Sequence, residues 1–422
     1  MDKKTLSTRF SLDALADMRN TVRTAQALVR EKLPVLKTMI LNIPRTPGNC
    51  LTAAILCFGL LITLLRFTMG IGAISNLDDN NPWGIWIAFD LLCGVALAAG
   101  GYTTSAACYI FGLKRYHAAV RPAITTAFLG YLFVVVALHY DVGQPWRLVY
   151  PVFLSQGTTS VLFEVGLCVF IYLSVLFIEW SPAALEWAGW KKLRSAVVKL
   201  TLPLTILGVI LSTMHQSSLG ALFLTSPGKL HPLWYSSFLP VFFFVSSMFA
   251  GLSMVVFEGM LAHKGLGHTM DEAHTRGAHD VALGFARGAA FIMAGYLCIR
   301  IFDMAMNNTW AYLATGYGLL YIVELAGFVA LPAFLYALGS REKRIGIVRT
   351  ASVIAILGII LNRIIVCLVA FNWQLPADER YFPSFMEIML SVFIVTLIVT
   401  AYRIICVFLP VLREHPDHRE DH

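Results

Sequence analysis

The feature that most constrains this chain is a succession of about ten apolar runs, each long enough to cross a lipid bilayer. A helix rises about 1.5 Å per residue, so roughly 20 apolar residues span the hydrocarbon core. In lipid every backbone N–H and C=O must find its partner within the protein, which leaves helices or closed barrels. The runs are too long and too continuous for barrel strands. They predict an all-α polytopic membrane protein with spans at 50–71, 84–113, 122–142, 160–180, 196–224, 233–262, 281–302, 311–338, 350–371 and 384–412. Composition agrees: 58% of the 422 residues are hydrophobic and 14% are charged, against about 25% charged in a soluble domain.

The net charge of +7 does not indicate nucleic-acid binding, because the basic residues sit in short loops where membrane topology explains them. With the N-terminus placed in the cytoplasm, the inner segments hold nine Lys and Arg before the first span, then Lys114, Arg115, Arg121, Lys191, Lys192, Arg194, Lys264, Arg276, Arg341, Lys343, Arg344, Arg349, Arg413 and Arg419. The outer loops hold only Arg147, Lys229 and Arg380. This bias predicts both termini cytoplasmic. It divides the chain into a cytoplasmic N-terminal extension (1–48), a transmembrane domain (49–412) and a cytoplasmic tail (413–422). No cleavable signal peptide is expected, since the first 48 residues are polar and basic. Residues 12–33 read as amphipathic, either lying on the membrane surface or packing as a solvated helix on a partner.

Eight cysteines occur, without a CxxC pair and mostly inside apolar runs. They read as small buried apolar residues, so no iron–sulfur cluster is expected in this chain and no metal site is assigned.

Several segments carry a family signature: NPWGIWIAFD at 81–90, HYDVGQPWRL at 139–148, VLFEVG at 161–166, TMHQSSLGAL at 213–222, HPLW at 231–234 and VFEG at 256–259. Over roughly residues 50–410 the chain resembles the polysulfide-reductase/NrfD family of membrane subunits. It is most similar to the branch with the membrane subunits of quinone-reducing [NiFe] hydrogenases, multihaem-cytochrome-linked menaquinone reductases and alternative complex III. The resemblance implies a haem-free subunit of two four-helix bundles plus flanking helices, in the bacterial inner membrane. It also implies menaquinone or another quinone, with no haem or iron–sulfur cluster in this chain, bound near the periplasmic face beside an extracytoplasmic iron–sulfur partner.

Ionisable groups in lipid are costly and need a reason. One set lies toward the outer side: Asp90, His139, Asp141, Arg147, Glu164, His215, Gln216, Ser217 and Ser218. Reducing a quinone takes two electrons and two protons, so its carbonyls need hydrogen-bond donors and a titratable neighbour. Histidine titrates near neutrality, and a carboxyl group deprived of water holds its proton more tightly. The expected catalytic groups are His215, on a quinone carbonyl, with Asp90 or Asp141 as proton partner. His139, Arg147, Glu164, Gln216 and Ser217 are candidate quinone-binding residues. Arg147 could instead pair with Asp141 or Glu164, and Gln216 and Ser217 could instead bond a neighbouring helix. Gly94, Ala98, Gly100 and Gly101 read as a close-packing stripe.

A second set, Glu258, Glu324 and Arg363, with Arg300 and Asp303, lies elsewhere and forms either a proton route to the cytoplasm or interhelical ion pairs. The function expected is a quinone-binding membrane subunit of a respiratory oxidoreductase, most plausibly quinone-reducing. The electron donor site, in a catalytic or multihaem cytochrome subunit, lies in other chains. Rival readings are a haem b anchor using His139 and His215, a secondary transporter and a passive anchor.

Overall fold

A computed structural model describes residues 46–413; the amphipathic stretch 12–33 and most of the tail lie outside the described residues. Ten helices among them are long and apolar enough to cross a membrane: α1 Pro47–Met69, α2 Trp86–Ile110, α3 Lys114–Asp141, α4 Val161–Trp187, α5 Thr201–Leu224, α6 Leu239–Thr269, α7 Gly277–Met306, α8 Gly316–Arg341, α9 Ile345–Val369 and α10 Phe385–Phe408. Their ends follow local chemistry. Thr46 caps α1 through the Asn49 N–H, Pro47 opens it and Gly70, at φ +90°, closes it. Ser384 and Glu387 cap α10 reciprocally, each side chain taking the other's backbone N–H. The fifth predicted span begins too early: residues Lys191–Lys199 form a separate short helix before α5. Their charges keep that segment out of the span.

Helices α2 to α5 form one four-helix bundle and α6 to α9 a second. The bundles meet along α2, α5, α6 and α9, while α1 and α10 pack on each other and against α3. The seam needs small residues. A Cβ on Gly100 of α2 would stand 2.9 Å from the Gly251 carbonyl oxygen of α6, so the two backbones touch there. This is the usual route to tight helix contact in lipid.

All helices run alternately up and down, so one face of the protein collects the start of α2 and the other the start of α3. These are called the Asp90 face and the Lys114 face below. At the Asp90 face an antiparallel bridge between Leu230 and Phe371 joins the loops before α6 and after α9.

Several helices are not regular. Residues Trp86–Leu91, Val323–Ala330 and Ile365–Val369 wind as π-helix. At α8 a cause is visible: Pro332 has no N–H to offer the turn before it. Such turns leave carbonyls and side chains displaced from the α-helical register, and they occur often at functional sites.

Candidate functional site

The residues selected from the sequence fall into separate groups. Asp90 lies in the first π turn, about 6 Å in from the start of α2 at 1.5 Å per residue. Ser391 of α10 donates a 2.6 Å hydrogen bond to its Oδ2. Asp141 ends α3, with its buried Oδ1 unpartnered among the described residues. Arg66 of α1 faces Asp141 electrostatically while donating through Nε to the Tyr140 carbonyl and through Nη2 to that of Val142, both at 2.8 Å. Asp90 and Asp141 are within electrostatic range of each other. A π turn, two acids and a guanidinium thus converge from α1, α2, α3 and α10.

Beside this group the loops form a small crevice lined by Asn81, Trp83, Cys367, Phe371, Asn372 and Tyr381. Its volume of about 10 Å³ suits a single water. Trp83 stacks on Phe371 at 5.2 Å and 27°. Cys367 in its wall lies within electrostatic range of Asp141 and Cys93. Tyr381 donates a 2.6 Å hydrogen bond to Glu387; burial, and then that carboxylate, push its hydroxyl above the ordinary tyrosine range, which keeps it a donor. Glu387 is fully buried and also accepts from the backbone N–H groups of Asn76 and Ser384. It ties the α1–α2 connection to the start of α10.

His215 lies deeper, about 14 Å from the end of α5. It is 0% exposed, so no water-sized space touches the ring. Its Nδ1 shares a 3.1 Å hydrogen bond with the Tyr131 hydroxyl, and Nε2 has no partner among the described residues. Gln216 donates to the Val95 carbonyl at 3.0 Å, a bond to a neighbouring helix. Tyr172, against Tyr131 at 4.7 Å, and Ser212, one turn before His215, also have buried oxygens without partners among the described residues. The centre of the first bundle is therefore a dry group of hydroxyls beside an imidazole, separate from Asp90. The expectation of a single pocket joining Asp90 to His215 is not met: the outer ends of the helices share a depth, but His215 sits more than two turns below them.

The remaining candidates stand apart from both. His139 is half-buried and turned onto its own helix, with Nδ1 2.7 Å from the Val135 carbonyl. Glu164, near the start of α4, accepts from Ser218 at 2.7 Å; the neighbouring Ser217 is half-buried. Arg147 forms no ion pair with Asp141 or Glu164; it is exposed, with its guanidinium 5.9 Å from the centre of the Tyr150 ring. The place expected for it beside Asp141 is taken by Arg66. Arg66 and Ser391 carry no signal in the sequence, because a charge one turn from a helix end and a lone serine have no distinctive spacing.

The second set is a network in the α6–α9 bundle. Glu324, inside the second π turn, accepts from Trp234 Nε1 at 2.8 Å and from Asn362 at 2.6 Å. Arg363 donates to Asn362 at 2.6 Å and to Ser246 at 2.8 Å, and lies 3.8 Å from the Phe243 ring centre. Arg300 and Asp303 form no ion pair; Arg300 lies over the rings of Phe242 and Tyr321, and Asp303 accepts from Ser236 and Asn307. Nearer the Lys114 face, Ser247 meets Tyr102, and Tyr336 donates to Ser253. Glu258 follows, accepting from Thr126 at 2.6 Å with its other oxygen unpartnered. It lines a cavity of about 350 Å³ together with Tyr402, His263 and His279. Polar groups thus recur along α6 from one face to the other.

HPLW, absorbed by neither set, packs at the Asp90 face. His231 is buried among Trp234, Tyr312, Tyr317 and Trp373, stacked on Tyr317 at 4.5 Å, and its Nδ1 accepts from the Leu233 N–H. Burial pushes this imidazole down to about 4, so it is neutral at pH 7.

Ten spans, two bundles and acids set in π turns define an integral membrane protein with a polar interior. Residues 73–373 match the family described as polysulphide reductase, NrfD, and the chain belongs to that family. A Nitratidesulfovibrio vulgaris protein is 71% identical over 377 residues, covering 89% of this chain and 97% of its own. The probable Ni/Fe-hydrogenase 2 b-type cytochrome subunit of Escherichia coli is 31% identical over 389 residues (89% and 96%). The integral membrane subunit of menaquinone reductase from N. vulgaris is 28% identical over 362 residues (80% and 85%). The chain is accordingly a membrane subunit related to those of respiratory redox complexes.

Proposed function

We propose that the chain is the quinone-reactive subunit of a respiratory complex in the bacterial inner membrane, with menaquinone as the ring accepted. The observation that carries this reading is the convergence of Asp90, Asp141 and Arg66 beside an aromatic crevice, with Asp90 in a π turn. The relatives supply the redox context. The headgroup enters by parting Trp83 from Phe371. A carbonyl then comes to Asp90, which Ser391 orients, and Arg66 holds Asp141 in place. Quinone takes two electrons from an iron–sulfur protein docked on this face and two protons through the acids, giving quinol. The excess of basic residues in the loops of the Lys114 face supports a periplasmic Asp90 face and cytoplasmic termini. The primary donor is a catalytic or multihaem cytochrome subunit.

In this reading the α6 series is the proton supply. Glu258 draws protons from its cavity on the Lys114 face, and the groups up to Arg363 and Glu324 pass them toward Asp90. His215 is an interior group that positions Tyr131.

The test is reduction of a menaquinone analogue by the intact complex carrying Asp90→Asn. General acid–base catalysis contributes about 10²–10⁴-fold, so turnover falls at least a hundredfold while donor oxidation by an artificial dye persists. Turnover within threefold of wild type would leave only a passive anchor.

The E. coli relative's name suggests a second reading, a haem b anchor. The residues present do not fit a porphyrin: His215 has no space beside it, and His139 is bonded to its own helix. A Soret band stoichiometric with this chain in the purified protein would overturn that judgement.

A further inference from the structure

A cavity unrelated to either polar set opens at the Lys114 face between the ends of α2, α3, α4 and α5. Its volume is about 600 Å³, and it is lined by Lys114, Arg121 and Lys199 above, with Ile124, Trp180 and Leu204 among its walls. We propose that it binds an anionic glycerophospholipid, with the phosphate at the basic rim and the acyl chains along α5.

Charge supports this occupant. Arg121 is already neutralised: Glu186 accepts from both of its Nη atoms, at 2.8 and 2.9 Å. Lys114 and Lys199 are exposed and have no ion-pair partner among the described residues. The rim carries an excess of positive charge, and basic pockets between helices at a membrane surface bind anionic headgroups. Glu179, which accepts from Thr205 at 3.0 Å, lies deeper in the same cavity.

Depth agrees with charge. Lys114 opens α3 and Lys199 stands just before α5, so the rim lies where hydrocarbon gives way to headgroups. Lysine stems can lie along apolar surface there while the ammonium stays at the interface. Below the rim, Leu202 and Ile206 are 50% and 44% exposed and continue the apolar wall outward for the chains. A free anion would have no use for these walls.

The test uses the full-length protein in mild detergent, offered phosphatidylglycerol or phosphatidylcholine and assayed for retained lipid by native mass spectrometry. Each basic residue near an anionic surface contributes about a factor of five. Lys114→Ala/Lys199→Ala therefore lowers phosphatidylglycerol retention roughly tenfold to thirtyfold and leaves phosphatidylcholine unchanged. Lys199→Arg keeps the retention, and the control Arg341→Ala/Lys343→Ala, on the same face, leaves it intact. Unchanged retention in the double variant, or an equal loss in the control, overturns the proposal. So does displacement of the lipid by inorganic phosphate, which would make this a free-anion site. Binding that emerges only after deletion of 414–422 overturns it too, because the chain's own acidic terminus would then be the occupant.

Discussion

Asp90 and His215 belong to the same bundle and are opposite kinds of buried polar group. Asp90 sits in a π turn near a face, is 7% exposed, and neighbours another acid, an arginine and a crevice. His215 sits in regular helix at 0% exposure, bonded to Tyr131. Only the first can meet a ligand by a local movement of aromatic side chains. The second must be uncovered by moving helices. The difference teaches that residue type nominates a group for chemistry, whereas the packing around it decides what it can touch.

The strongest way to break this comparison is to remove each group in turn. Asp90→Asn costs at least a hundredfold in quinone turnover, as argued above, and His215→Gln costs less than tenfold. Equal losses, measured side by side in the same membranes, would bring the ring to the imidazole and sink the distinction.

Next in size is Glu258→Gln. Glu258 lines its cavity and has one carboxylate oxygen without a partner among the described residues; loss of titration lowers proton uptake in sealed vesicles about tenfold, within the range for one acid–base group. Quinone reduction falls with it, in leaky membranes as well, because these protons complete the quinol. Unchanged uptake removes Glu258 from the route. Glu324 has both oxygens occupied by Trp234 and Asn362, so Glu324→Gln lowers uptake and also destabilises the fold, and the thermal midpoint in detergent drops.

His215→Phe removes the partner of a buried tyrosine hydroxyl, which costs about 1–3 kcal/mol. A denaturation midpoint equal to wild type would show that Tyr131 finds another partner.

The smallest effect concerns pH. The folded-state pKa of His231 is depressed, so its contribution to stability is complete above about pH 6.5 and is lost as pH falls toward about 4. Between pH 7 and pH 4.5 the wild type loses on the order of 2 kcal/mol that His231→Gln does not. Parallel melting curves for the two proteins would contradict the burial argument.

Much of the fold was legible because hydropathy acts through local, additive physics: a run of apolar residues inserts as a helix whatever its neighbours do. The ten spans follow from that physics, whereas the motifs at 81–90, 139–148 and 213–222 were legible only through their resemblance to a family. Pairing across helices was not legible. Arg147 looked like the partner of Asp141 because it is near in sequence, yet Arg66, on a helix far away in the chain, comes closer. Ser391 reached Asp90 across some three hundred positions for the same reason.

The amino-acid sequence by itself determined that this chain is an all-α membrane protein of the NrfD family with acids, imidazoles and arginines committed to lipid depth. Only the tertiary structure decided which of them meet. Burial of a charged group depends on the rotation, depth and winding of every helix around it. A π turn at Asp90 or a glycine seam between α2 and α6 shifts those by ångströms, a scale to which hydropathy is blind.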